Sequence, residues 1–235
     1  AAPQAGDAGH PRIEYLSKDG RFWSTMLGPT AGKPVPIEWC FGSGEQGTTF
    51  VTVLKDSHGR SRLLEHHWSW FQDDDVLELT PGHTIADKAR DFDRFGQVFD
   101  PGTTRHCFSC HTTAFPYDAG RIDTDRLVPG IQCERCHGPR QAHVDAKLLE
   151  QTPSRVAARP HPPARQQVYA CGECHRRPDE INDEIRPDNP VLVRFPSVGL
   201  VQSKCFLASE SKGTLTCTTC HDPHRAQHPP ISSFD

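Results

Sequence analysis

Cysteine and histidine recur in this chain in one fixed order: Cys107-Phe108-Ser109-Cys110-His111, Cys133-Glu134-Arg135-Cys136-His137, Cys171-Gly172-Glu173-Cys174-His175 and Cys217-Thr218-Thr219-Cys220-His221. Two thiols three positions apart sit on one side of a helical turn, and the next residue lies beside them. That geometry suits the addition of both sulfurs across the vinyl groups of a haem, with the adjoining histidine under the iron as its proximal ligand. The competing chemistry is zinc held by paired Cys-x-x-Cys units. Zinc does not require a histidine directly after the second cysteine, and here all four pairs have one. The sequence therefore predicts four covalently attached haem c groups, with Cys107, Cys110, Cys133, Cys136, Cys171, Cys174, Cys217 and Cys220 as attachment points and His111, His137, His175 and His221 as proximal ligands.

Each iron needs a second axial ligand to be six-coordinate. Met26 is the only methionine, so thioether ligation cannot be general, and mostly bis-histidine haems of lower potential are expected. Ten histidines lie outside the motifs: His10, His58, His66, His67, His83, His106, His143, His161, His224 and His228. Four are favoured as distal ligands: His66, His83, His143 and His224. His143 and His224 follow a proximal histidine too closely in sequence to pass round the porphyrin to that iron's other face, so they would ligate neighbouring haems. His66 is on the more apolar face of an alternating segment, with His67 as its alternate, and His83 is in a Pro-Gly turn that can aim it inward. Cys40 and Cys205 are left over, and in an exported protein a disulfide between them is expected over free thiols.

The elements that must position these groups fall into two parts. In the first hundred residues, Thr48 to Leu54 is β-branched and apolar, Asp56-Ser57-His58-Gly59 has turn chemistry, and Arg62 to Phe71 alternates, which together predict a β-hairpin. On the second strand Leu64, His66, Trp68 and Trp70 share a face, and that face is expected to be the buried one. From residue 101 onward the motifs arrive at irregular intervals that do not make a solenoid. Gln141 to Gln151 reads as a short helix carrying His143, and Leu192 to Phe195 as a strand. The fold class is thus α+β with low regular secondary structure: a haem-free β-containing region, 1–100, packed on a loop-rich tetrahaem core with short helices, 101–235. The 21 prolines and 18 glycines support that reading, and at 35% hydrophobic the chain relies on porphyrin to fill its core.

No apolar run reaches the roughly 18 residues of a membrane span. Haem c is attached after export, so the motifs place the protein in the periplasm or outside the cell. The formal charge of −4 becomes more negative with haem propionates, and no basic stripe offers a nucleic acid site.

The segments Ile131 to Pro139 with His143, and Leu215 to His224 with its Asp222-Pro223-His224 ending, resemble the multihaem cytochromes c that include the tetrahaem electron acceptor of hydroxylamine oxidation in nitrifying bacteria, and exported doubled-CxxCH proteins more broadly. The resemblance implies distal ligation by His143 and His224, and the stretch from Phe41 to His83 is similar to the haem-free region of some members. It also embraces cytochromes that polymerise into extracellular filaments. The expected function is electron transfer through closely packed bis-His haems, with redox partner proteins or self-association into a haem chain. The alternatives are a filament subunit and a multihaem oxidoreductase acting on a small nitrogen or sulfur compound. Ten spare histidines and the absence of a Cys-x-x-Cys-Lys variant favour a carrier over an enzyme.

Overall fold

A computed structural model describes residues 4–5, 13–26, 33–42, 47–84, 91–139, 141, 144–145, 162–181 and 195–224. The chain divides into two compact units, Ala1–Ile131 and Gln132–Asp235. The expected boundary at residue 100 therefore moves: the first motif belongs with the β-rich part.

Unit one contains two antiparallel sheets. The first joins β1 (Gln4–Ala5), β2 (Ile13–Lys18), β3 (Arg21–Met26) and β4 (Val35–Ile37) in that order. Asp19-Gly20 makes the β2–β3 turn with φ of 53° and 71°, the two-residue geometry whose twist matches that of the flanking strands. The second sheet runs β5 (Trp39–Phe41), β6 (Gly47–Lys55), β7 (Ser61–Phe71) and β8 (Val76–Leu79), and β9 (Gly96–Val98) also pairs with β7. The β6–β7 hairpin turns where Asp56 Oδ1 accepts the backbone N–H groups of His58 and Arg60, each at 2.9 Å. Among the described residues there are also two small pairs, β10 (Thr112–Ala114) with β13 (Val128–Pro129), and β11 (Tyr117–Asp118) with β12 (Arg121–Ile122).

Strand β7 is covered on both faces, where one buried face was expected. Leu63 packs with Val51, Ile122, Leu127 and Phe108, the last from helix α1 (Pro101–His111). Leu64, pointing the other way, packs with Met26, Val35 and Phe95. Each leucine is fully buried, a contribution of about 1.5–3 kcal/mol apiece. Gly96 lets β9 approach: a Cβ there would stand 1.8 Å from the Glu65 carbonyl oxygen. Helix α1 starts cleanly, since Asp100 caps it through Gly102 N–H at 2.7 Å and Thr103 N–H at 3.1 Å, and Pro101 fits the first turn. Thr104 ties the helix to the sheet, its Oγ1 accepting the backbone N–H of Leu63 at 2.8 Å.

Unit two is helical: α2 (Cys133–His137), α3 (Ala164–His175), α4 (Pro196–Gln202), α5 (Lys204–Ser209) and α6 (Cys217–Cys220). Its core joins Ala164 and Val168 of α3 to Val201 and Phe206. Arg165 donates to both carboxylate oxygens of Glu210, at 2.6 and 2.9 Å, and its guanidinium lies over Phe206. The segment 141–151 expected as a helix, except for 141 and 144–145, and residues 192–194 of the expected strand, lie outside the described residues. No described helix is long and apolar enough to cross a membrane. Helices and strands are both well represented among the described residues, more than the proline and glycine content led us to expect.

Truncating Phe108 to alanine is expected to lower stability by about 3–5 kcal/mol, and Gly96→Ala by about 1–3 kcal/mol through overpacking against Glu65. Denaturant titration of the haem-loaded protein measures both. A Phe108→Ala loss below about 1 kcal/mol would contradict the docking of α1 on β7.

Candidate haem-attachment sites

All four motifs adopt the same local form. In α1 and α3 the Cys-x-x-Cys-His closes a longer helix, and in α2 and α6 it is essentially the whole helix. Both sulfurs of each pair therefore leave one turn on one side, with the histidine one position on. Gly172, inside the third motif, is close-packed because the chain doubles back there, and a Cβ would meet Arg177 Cα at 3.1 Å. Ser197 Oγ hydrogen-bonds the carbonyls of His175 and Arg176, closing the end of α3. Thr216 and Thr219 form a reciprocal capping box that starts α6.

Around the first motif, Phe41 lies flat against the His111 imidazole, with ring centroids 4.3 Å apart and planes 9° from parallel. Burial lowers the His111 pKa and the charge of Glu65 opposes it. The Cys107 thiol is pushed up to about 11, by burial first and then by the same carboxylate. Glu65 also accepts a hydrogen bond from His83 Nε2 at 2.8 Å, so one carboxylate links His83 to the first motif. His83 reaches that position through the Pro81-Gly82 turn. Its backbone N–H bonds the Thr80 carbonyl at 2.9 Å, and Gly82 has φ +87°, as a type II turn requires. Hydroxyl contacts of Thr49 with Ser69 (2.8 Å) and Ser69 with Thr80 (2.9 Å), and the Thr80 hydroxyl donating to the His66 carbonyl (2.8 Å), fasten the turn to β7.

His66 faces the other way. It is on the Leu64 side of β7, fully buried, with Nε2 3.0 Å from Thr52 Oγ1 and its ring 6.4 Å from that of Tyr15, whereas α1 docks on the Leu63 side. The structure thus does not bring His66 to the first motif. Alternation correctly put it on an apolar face, but that face meets the first sheet. Its alternate His67 shares the Glu65 face and contacts His83, with Nδ1 atoms 3.1 Å apart.

His224 stands beside His137 of the second motif, although it follows the fourth in sequence. The two rings are 13° from parallel with centroids 6.1 Å apart. With a metal–imidazole bond of about 2.0–2.1 Å, two imidazoles on opposite sides of one metal ion have centroids separated by about 6 Å. The separation alone matches that spacing, while the rings as placed are stacked, with His224 brought beside the second motif. Asp222 supports the arrangement, accepting the His224 backbone N–H at 3.0 Å, with its Oδ1 3.5 Å from His224 Nδ1. The thiols of Cys171 and Cys217 share a hydrogen bond that raises the pKa of the first and lowers that of the second to about 7, so the third and fourth motifs meet at their attachment cysteines. Helices α2 and α6 bury none of their own residues, which also fits turns meant to be covered by a large apolar group.

His143, His10, His161 and His228 lie outside the described residues, while His58 in the β6–β7 turn and His106 on α1 are exposed. Cys40 belongs to the first unit and Cys205 to the second, and each is exposed. Sequence reasoning missed Phe41, Glu65 and Asp222. Glu65 was findable, since it shares the β7 face of His67 by simple alternation.

The family model described as cytochrome c554 and c-prime matches residues 82–138, about a quarter of the chain, from the Pro-Gly turn of His83 through the second motif. The chain is also similar to the dissimilatory sulfite reductase MccA of Wolinella succinogenes, 23% identical over 147 residues. Together they support a c-type cytochrome. The cytochrome reading implies covalently bound haem c and haem-based electron transfer. The second match covers 52% of this chain and only 18% of the reductase. No solved structure matches. The expectation that this chain is a carrier and not an enzyme is overturned by this similarity, because the relative it matches is a reductase.

Burial, followed by the neighbouring His67 and His83 charges, depresses the His66 pKa to about 3. A histidine held neutral in the fold leaves stability at its full value above the unfolded pKa of about 6.5 and removes it as pH falls towards 3, at up to about 1.4 kcal/mol per pH unit. His66→Gln, which keeps a partner for Thr52 but does not titrate, is expected to flatten that part of the stability profile in denaturant melts. An unchanged slope would contradict the buried placement.

Proposed function

We propose that this chain is an exported tetrahaem c-type cytochrome that passes electrons among closely spaced haems. The observation that carries the proposal is the His137–His224 pair, in which the loop after the fourth motif brings an imidazole beside the histidine of the second. A ligand crossing between motifs ties two haems into one rigid unit, and a fixed pair of strong ligands resists rearrangement when an electron arrives. The thiol contact between Cys171 and Cys217 supports a further close approach of the third and fourth haems at their attachment edges. On this reading Cys107 and Cys110 with His111, Cys133 and Cys136 with His137, Cys171 and Cys174 with His175, and Cys217 and Cys220 with His221 each hold one haem. His83 and His224 act as distal ligands. Haem supplies the one-electron chemistry, and the chain's side chains fix its orientation, burial and potential. Electrons would enter and leave through redox partner proteins, or through haems of neighbouring copies if the protein self-associates.

A second reading is favoured by the similarity to MccA: the electrons serve reduction of a small sulfur or nitrogen compound, at an iron with an open coordination position in this chain or in a longer protein that contains it.

Denaturing mass spectrometry is expected to show four retained haems, and electron paramagnetic resonance of the oxidised His224→Ala protein one haem converted from low-spin to high-spin. Bound zinc, or a His224→Ala spectrum identical to that of the parent, would sink the electron-transfer assignment as drawn. A high-spin signal already present in the parent and perturbed by sulfite would move the reductase reading to first place.

A further inference from the structure

His67 has both ring nitrogens engaged. Nε2 is 3.1 Å from the backbone carbonyl oxygen of Asp93, and Nδ1 is 3.1 Å from Nδ1 of His83, with the two rings perpendicular. The carbonyl can only accept, so the proton of a neutral His67 is on Nε2 and its Nδ1 offers a lone pair. His83 must then donate from its own Nδ1, while its Nε2 donates to the carboxylate of Glu65, whose charge reaches Cys107 and His111, so that iron at Nε2 would take the place of the Glu65 hydrogen bond. The His67 ring cannot swing away. It is buried, its backbone N–H bonds the Phe95 carbonyl at 2.8 Å, and its own carbonyl takes the Thr80 N–H at 2.7 Å. The segment that holds His67 through Asp93 and Phe95 thus also fixes which nitrogen of His83 is presented.

We propose that His67 is a positioning residue for a haem and not a haem ligand: it accepts the Nδ1 proton of His83, leaves Nε2 as the nitrogen for iron once the Glu65 bond is given up, and makes it a stronger donor. The proposal rests on the reading of His83 as a distal ligand. A histidine that gives its second proton to a good acceptor gains electron density at the coordinating nitrogen. That density favours ferric over ferrous iron, so the haem bound by His83 has a lower potential than an ordinary bis-histidine haem.

Three variants of the haem-loaded full chain test this by potentiometric titration and electron paramagnetic resonance. His67→Phe fills the space without an acceptor. It is expected to keep every haem low-spin and to raise one midpoint by about 59 mV, a tenfold shift for a one-electron couple. His67→Gln, whose amide offers an acceptor to His83 and a donor to the Asp93 carbonyl, is expected to restore the parent value. His83→Ala should turn the same haem high-spin. Unchanged midpoints in His67→Phe beside a high-spin His83→Ala overturn the role of His67 alone, whereas a low-spin His83→Ala overturns the ligand reading beneath it. Should His67→Phe not fold, the parent protein decides. One low-spin signal with a narrowed g spread, the signature of a histidine with imidazolate character, supports the proposal, and uniform spreads across all signals overturn it.

Discussion

A turn of five residues cannot hold its own shape in water, because the cost of nucleating a helix is recovered only over many hydrogen bonds. Each Cys-x-x-Cys-His is such a turn, and its chemistry requires two sulfurs and an imidazole in fixed relation. The rest of the structure depends on how that turn is held. The first motif is held by a sheet: Thr104 bonds the Leu63 backbone, Phe108 enters the core beside Leu63 and Val51, and Phe41 braces the His111 ring. The third is held by helix packing, with Val168 against Val201 and Phe206. The second and fourth bury none of their own residues, and the contacts they make include the His137–His224 rings, the Cys171–Cys217 thiols and the Thr218 hydroxyl bonded to Gln167 Oε1. Covalent haem is the natural completion of turns built this way, and attachment should consolidate the second unit most.

Strand β7 organises the first unit because it has no solvent face. Leu63, Glu65 and His67 look towards α1 and the Pro81-Gly82 turn, and Leu64 and His66 look towards the first sheet. The two adjacent histidines consequently have different chemistry. His66 is a neutral buried group bonded to Thr52. His67 is part of a hydrogen-bonded line from the Asp93 carbonyl to His83 and on to Glu65.

What was legible in the sequence was whatever is local. The four motifs, the Asp56 turn with its hairpin and the Pro81-Gly82 turn are each specified by neighbours within a few positions. Tertiary cover was not legible. Alternation along β7 separates its faces but is silent on what packs against either, so His66 was favoured over a role for the Glu65 face. The boundary near residue 100 was drawn where the motifs begin, whereas Phe108 and Thr104 carry α1 into the β-rich unit. Pairing of Cys40 with Cys205 rests on their number and on export, and neither carries a distance. The similarity to MccA runs against the carrier expectation drawn from counting histidines, since that relative is a reductase.

The central claim is that the Cys-x-x-Cys-His turns hold haem and that ligands cross between motifs. A crystal structure of the haem-loaded protein, with metals located by anomalous scattering at the iron edge, tests it most directly. The account predicts an iron at each of the four motifs, with the one at the second lying between His137 and His224. Scattering at the zinc edge instead, or an iron at the second motif whose distal ligand is not His224, would contradict it.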